Sequence, residues 1–68
     1  MRKVPVTIEY TPEGDWWVRS PDAVGFFACG QTREDALENA KEGLALFLGV
    51  DENSIELEVT ETRSAEDG

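Results

Sequence analysis

The chain has very few of the residues that cross-link a small protein or hold a metal ion. Its 68 residues include a single cysteine, Cys29, and no histidine. An intramolecular disulfide is therefore excluded, and a zinc site would have to combine carboxylates with one thiolate, unlike the usual ligand sets. Without histidine, the Cys29 thiol also lacks the usual base of a cysteine nucleophile. We expect no cofactor, no metal and no enzymatic activity, and we expect Cys29 to be a half-buried strand residue.

Positive charge is also scarce. Six Lys and Arg residues stand against fifteen Asp and Glu residues, which gives a net charge of −9. This charge disfavours contact with nucleic-acid phosphates and with anionic membranes, and it favours a basic protein as partner. The same acidity is also typical of a well-solvated surface that limits self-association. Charge alone therefore leaves both interpretations open.

Long apolar runs are absent as well. No run approaches the roughly 18 residues that a membrane-spanning helix needs. The first residues, Met1-Arg2-Lys3, lead directly into alternating polar and apolar positions, a pattern unlike a signal peptide. Together with the lone cysteine, this predicts a cytoplasmic protein with no membrane partner.

The short length leaves room for one domain, which we place at residues 1–60. A domain of this size buries only about 60% of the surface that its unfolded chain exposes. Since disulfides and metals are excluded, oligomerisation is the remaining means of adding stability, and we expect a homodimer or homotetramer. Residues 61–68 contain Ala65 as their only apolar side chain. We predict that they form a disordered acidic tail.

Alternation of apolar and polar residues predicts three strands in the first half of the chain. The first, Val4–Tyr10, would point Val4, Val6, Ile8 and Tyr10 to one face. Near Pro5 this strand should lack a partner on one side or be only just starting. A turn at residues 11–15 leads into Trp16–Ser20, and the third strand is Phe26–Cys29. The charge of Arg19 favours an outward Trp17. A slip of one residue would exchange Trp16 and Trp17 between the faces, so their assignment stays open.

The second half predicts one helix and one strand. Thr32 is a good N-cap, Gly49 is a natural stop, and the helix between them carries an apolar stripe. Its stripe comprises Ala36, Leu37, Ala40, Leu44, Phe47 and Leu48, with Leu46 on the solvent side. Ile55–Thr60 alternates again as a fourth strand. Because crossover connections are right-handed, this strand should lie parallel to a neighbour, most simply the first. The predicted class is α+β, with order β-β-β-α-β and the helix packed on one face of an antiparallel meander.

The run Pro21–Ala36, PDAVGFFACGQTREDA, resembles the signature of the HicB family of antitoxins. In that signature a Pro, an acidic residue, two Gly, a Thr and an acidic pair before Ala recur at these spacings without a gap. With Gly14 and Trp16 upstream and the helix to Leu48 downstream, the similarity extends over about half of the chain. Two positions depart from it: Val24 stands where the family usually has a second Pro, and Phe26 where it often has Cys.

The resemblance implies a partial ribonuclease H-like fold that binds and masks a HicA-type toxin, a small basic ribonuclease. Full-length members usually carry a second, carboxy-terminal domain that binds DNA, and the chain ends before one, so DNA binding is not carried over. Two functions remain open. One is an antitoxin that neutralises a toxin, and the other is a stand-alone oligomeric relative with no toxin partner.

The candidate binding residues lie at the strand positions opposite the apolar ones. A ribonuclease H-like fold suggests a carboxylate cluster for Mg²⁺, for which the candidates are Glu9, Glu56 and Glu58. We expect these three to be spread over a solvated sheet face and not to converge. Trp17 beside Arg19 is typical of an interface hot spot, for a toxin-like partner or for self-association. We therefore predict partner binding by Trp17, Arg19, Glu9, Glu56 and Glu58.

Overall fold

A computed structural model describes residues 2–63, apart from the side chain of Arg63, as one mixed four-stranded sheet and one helix. The elements in chain order are β1 (Arg2–Tyr10), β2 (Trp16–Arg19), β3 (Phe27–Gly30), α1 (Arg33–Leu48), a short 3₁₀ turn (Glu52–Ser54) and β4 (Ile55–Arg63). The strand order across the sheet is β3-β2-β1-β4. The predicted α+β class and order of elements are confirmed.

Strands β1 to β3 form the predicted antiparallel meander. β1 and β2 pair from Thr7 opposite Arg19 to Tyr10 opposite Trp16, and β2 continues the pairing with β3. In the hairpin between β1 and β2, the Thr11 N–H donates to the Asp15 carbonyl at 2.8 Å. Gly14 has a φ of +95° there, a conformation that glycine adopts without steric cost.

The β1–β2 ladder does not extend to Pro5, so near this residue β1 lacks β2 as a partner, one of the two arrangements that the sequence predicted. The pairing with β2 covers only the second half of β1, so the missing N–H of Pro5 costs no ladder hydrogen bond on that side. The Pro5 carbonyl instead accepts a hydrogen bond from the Ser20 hydroxyl at 2.7 Å, and the same hydroxyl oxygen accepts from the Asp22 N–H. Ser20 is buried, and this pair of bonds satisfies its hydroxyl as the chain leaves the sheet.

β4 runs parallel to β1 along its whole length, from Arg2 opposite Ile55 to Tyr10 opposite Arg63. This confirms the predicted crossover. The strand is longer than expected, since residues 61–63 were assigned to the tail but pair with the end of β1. Backbone hydrogen bonds need no apolar side chain, and Glu61 is also held by Arg33, whose Nε lies 3.3 Å from the carboxylate. Residues 64–68 of the predicted tail lie outside the described residues.

The core lies between one face of the sheet and α1. Its buried members are Val4, Val6, Ile8, Val18, Ala23, Ala36, Ala40, Leu44, Ala45 and Ile55. Burial of Val18 settles the register of β2, because Trp16 then packs against the core and Trp17 points to the opposite face. Tyr10 and Phe47, predicted to face the core, lie at its margin and are exposed, while Leu46 is on the solvent side as predicted.

α1 begins and ends where its caps were predicted. The Thr32 hydroxyl accepts from the Asp35 N–H at 3.0 Å, and Gly49 closes the helix in the left-handed conformation. Its first turn packs very closely on β3, since a Cβ added to Gly30 would lie 2.6 Å from the Ala36 nitrogen. Among residues 2–63, no helix has the length and apolar composition needed to cross a membrane.

Candidate functional site

The face of the sheet opposite α1, here called the open face, carries all five predicted binding residues. Alternation along each strand, anchored by the buried residues, assigns its side chains. They are Lys3, Pro5, Thr7 and Glu9 of β1, Trp17 and Arg19 of β2, Phe27 and Cys29 of β3, and Glu56, Glu58, Thr60 and Thr62 of β4. Among the described residues, no helix or strand covers this face.

Two aromatic rings form the main apolar feature of the open face. The ring centroids of Trp17 and Phe27 are 5.1 Å apart, with planes inclined at 30°. Trp17 is opposite Cys29 in the ladder, which places Phe27 at the diagonal position on the same face. The two residues remain 37% and 57% exposed. Exposed, mutually supported aromatic rings are typical of the anchor residues at protein interfaces.

A charged pair borders these rings. An Arg19 guanidinium nitrogen donates to a Glu9 carboxylate oxygen at 3.3 Å. Glu9 is opposite Trp17 in the β1–β2 ladder. Arg19 is two positions further along β2, so it is the diagonal neighbour of Glu9 on the same face. The Arg19 side chain is largely exposed, so the pair contributes little to stability. It can therefore exchange partners when another charged group approaches.

The rings and the charged pair enclose a concavity of about 330 Å³. It is lined by Glu9, Thr11, Trp17, Arg19 and Phe27. Ligand pockets occupy roughly 300–1,000 Å³, so this volume is at the lower end of the range. An aromatic wall beside a carboxylate fits an extended cationic side chain, whose methylene groups can lie on the rings while its charge reaches the carboxylate.

Glu56 and Glu58 lie at the other end of the open face. Glu9 is opposite Thr62 in the β1–β4 ladder, six positions from Glu56, which corresponds to about 20 Å along the strand. Glu58 interacts with Lys3, whose Nζ is 3.9 Å from its carboxylate. Three of the predicted residues thus share one site, while Glu56 and Glu58 form a separate acidic area.

The three glutamates considered as candidate metal ligands, Glu9, Glu56 and Glu58, are spread along the open face. In the part of the chain that the structure describes, no group of three His, Cys, Asp or Glu side chains is arranged to hold a metal ion. Cys29 differs from its prediction, because it is exposed on the open face and not half-buried. Helix α1 packs against the other face of β3, so the odd-numbered residues of that strand point to solvent.

The sequence and the structure of this chain were compared with those of known proteins. No known family model, curated protein or solved structure matches this chain. The resemblance to HicB antitoxins therefore rests on the residues of this chain alone, from Gly14 to Leu48.

Two residues of the site were missed by sequence reasoning. Phe27 and Thr11 line the concavity, but the adjacent Phe26 and Phe27 give no local indication of which ring faces outward. Phe26 turns toward the core, where its ring packs over Gly43 and meets Phe47 edge-on at 6.2 Å. The useful signal was the meander itself, because antiparallel pairing with an outward Trp17 puts Phe27 on the same face.

Proposed function

We propose that this chain is a non-catalytic, HicB-like binding module of the cytoplasm, which masks a small basic HicA-like ribonuclease toxin. The observation that carries the proposal is the exposed Trp17–Phe27 pair beside the Glu9 carboxylate on the open face of the sheet. The resemblance of Pro21–Leu48 to the HicB signature supplies the partner class, and with it the partial ribonuclease H-like fold.

The charge distribution supports a basic partner. The chain carries a net charge of −9, and its open face holds three glutamates. The two basic side chains on that face, Lys3 and Arg19, each lie against one of these glutamates. Approach of a basic surface would be accelerated by the acidic field, while the aromatic rings would supply most of the short-range binding energy.

The concavity indicates how contact would begin. An arginine or lysine of the partner would lie on the Trp17 and Phe27 rings and pair with Glu9, releasing Arg19. A ribonuclease that binds RNA through such cations would lose access to its substrate, because the same side chains would be occupied by the antitoxin. This explains inhibition without any catalytic group on the present chain.

The decisive experiment uses the small basic protein encoded by the adjoining reading frame, co-expressed with the full chain. We expect the two to co-purify at moderate salt and the chain to relieve the toxicity of that protein. W17A should weaken binding at least about 30-fold, which is the effect of losing an interface hot spot worth about 2 kcal/mol. Isothermal titration and growth rescue provide the measurements.

L46A is the matched control. Leu46 is also a large apolar residue and is 80% exposed, but it lies on the helix, away from the open face. We expect L46A to bind like the wild type. E9Q should weaken binding less than W17A and should reduce its salt dependence, since one carboxylate is lost. Equal affinity of wild type and W17A, or the same loss in L46A, would refute this use of the open face.

The second candidate is a stand-alone oligomeric HicB-like protein with no toxin partner. The outer edge of β4 favours it, because no strand of residues 2–63 pairs with that edge and it offers a surface for a second copy. Absence of binding to the adjacent basic protein, together with a stable oligomer, would favour this function over the first.

A further inference from the structure

The two edges of the sheet are built differently. The β3 edge is four residues long, lies against the first turn of α1, and has one of its carbonyls, that of Cys29, bonded to Asn39 Nδ2 at 2.9 Å. The β4 edge is nine residues long, Ile55–Arg63, and contains neither Pro nor Lys. Short length and side-chain cover are the usual protections of an edge strand. β3 has both. β4 is long, and within residues 2–63 its neighbour in the sheet is β1 alone; its protection consists of charged residues, three Glu and Arg63, which restrict how a second strand can pair with it.

β4 therefore presents a row of backbone groups along its outer side. Within residues 2–63, its hydrogen-bonded neighbour in the sheet is β1 alone. In a parallel pair, alternate residues direct their N–H and C=O groups to one side, so the remaining residues of β4 direct theirs outward. Such a row is a template for another strand.

We propose that this edge pairs antiparallel with the same strand of a second copy, about a two-fold axis at Val59. The pairing joins two four-stranded sheets into one sheet of eight strands. A two-fold axis between antiparallel strands is perpendicular to the sheet, so residues that meet across it share a face. The two helices then lie on one side of the joined sheet, and the two open faces lie on the other.

The charges of β4 select this register. With the axis at Glu58 or Glu61, the same carboxylate of both copies would meet, and with the axis at Leu57, Glu56 would meet Glu58. Like charges directly opposite each other destabilise a ladder. With the axis at Val59, every glutamate meets a residue without negative charge. The opposed pairs are Glu56 with Thr62, Glu58 with Thr60, and Leu57 with Glu61.

An axis at Thr60 also avoids opposed carboxylates, but within β4 it pairs only residues 57–63. The Val59 register uses all nine residues of the strand. It also brings together the two Val59 side chains, which are 37% exposed on the helix side of the sheet. A β-branched pair across an antiparallel ladder is favourable, and it removes apolar surface from water.

The test adds a charge at Thr60, an exposed open-face residue of β4 that the Val59 register places opposite Glu58 of the other copy. T60E creates two Glu–Glu oppositions per dimer, and T60K creates two Lys–Glu oppositions. We expect the dimer dissociation constant to rise about tenfold in T60E and to fall about tenfold in T60K. Sedimentation equilibrium at low ionic strength measures this dissociation constant. The dimer has twice the 7.5 kDa mass of one chain, so the two species are distinguishable.

Q31E and Q31K are the controls, because they make the same changes of net charge at an exposed residue outside the sheet. Both should dimerise like the wild type. The double variant E58K/T60E reverses the opposed charges and should restore the dimer that T60E weakens. Circular dichroism verifies that each variant is folded. A monomeric wild type at millimolar concentration, or T60 variants that follow their Q31 counterparts, would overturn the proposal.

This inference does not depend on the proposed toxin partner. Trp17 lies on β2, two strands away from the dimer edge, so W17A should leave the dimer unchanged while it weakens partner binding. Conversely, T60E should weaken the dimer without removing the concavity. The two proposals therefore fail separately.

Discussion

Replacement of Gly30 by alanine tests how closely helix and sheet approach each other. A Cβ at this position would lie 2.6 Å from the Ala36 nitrogen, and 2.9 Å from both the Ala36 Cα and the Asp35 carbonyl carbon. Reaching an ordinary contact of 3.4 Å requires the helix and strand to separate by about 0.8 Å at this point. All three contacts are backbone atoms, so no side-chain rotation relieves them.

The expected cost of G30A is about 3 kcal/mol, the upper end of the usual range for overpacking. Domains are stable by about 0.05–0.15 kcal/mol per residue, which gives about 3–10 kcal/mol for this chain. G30A should therefore remove between a third and all of the free energy of unfolding. Urea unfolding, followed by tryptophan fluorescence and circular dichroism at one fixed protein concentration, measures the loss.

G43A is the matched comparison. A Cβ there would lie 2.7 Å from Phe26 Cε1 and 2.9 Å from Cζ, atoms at the edge of a partly buried ring that can turn aside. Alanine also gains about 1 kcal/mol over glycine in a helix interior. We expect G43A to stay within about 1 kcal/mol of the wild type. A G30A protein that is as stable as G43A, with an unchanged m-value, would refute the close approach.

Two smaller substitutions test the hydrogen bonds that fix the ends of elements. T32A removes the hydroxyl that accepts from the Asp35 N–H and should cost about 1 kcal/mol, while T32S should cost much less; equal losses in urea melts would contradict the capping role. S20A removes the buried donor to the Pro5 carbonyl and should cost about 1–3 kcal/mol. The exposed S54A, which loses a comparable bond to the Asp51 carbonyl, should cost less than S20A, and the reverse order of midpoints would be inconsistent with this account.

The elements that could be predicted from the sequence are those with local signals. Thr32 and Gly49 mark the ends of α1 because a hydroxyl cap and a left-handed glycine are properties of neighbouring residues. The parallel placement of β4 followed from the handedness of the crossover, which depends on topology and not on particular side chains. Pro5 also acted locally, because its missing N–H removes one ladder donor, and the β1–β2 pairing does not extend to it.

The parts that were missed depend on contacts between distant residues. Sequence periodicity could not show that residues 61–63 continue β4, because their pairing uses the backbone of β1. The exposure of Cys29 was predicted wrongly and Phe27 was not assigned to a face, because the third strand is too short for its alternation to indicate one. Pairing with an outward Trp17, together with α1 packed on the other side of β3, decides that both point outward.

The stretch that resembles the HicB signature contributes both to the fold and to the proposed binding site. Gly30 and Thr32 serve the fold, through the close approach and the N-cap. Phe27, however, lies within the same stretch and forms half of the aromatic pair. The region that carries the resemblance and the region proposed to bind a partner therefore overlap at β3.

The proposed dimer and the proposed partner site are geometrically compatible. In the order β2-β1-β4-β4-β1-β2 of a joined sheet, five strand spacings separate the two copies of Trp17, or about 24 Å. Trp17 also lies level with Thr62, three positions from the axis, which adds an offset of about 20 Å along the strands. The two concavities would then be about 30 Å apart on one face. Each could hold its own small partner, so dimerisation would set the stoichiometry without covering the site.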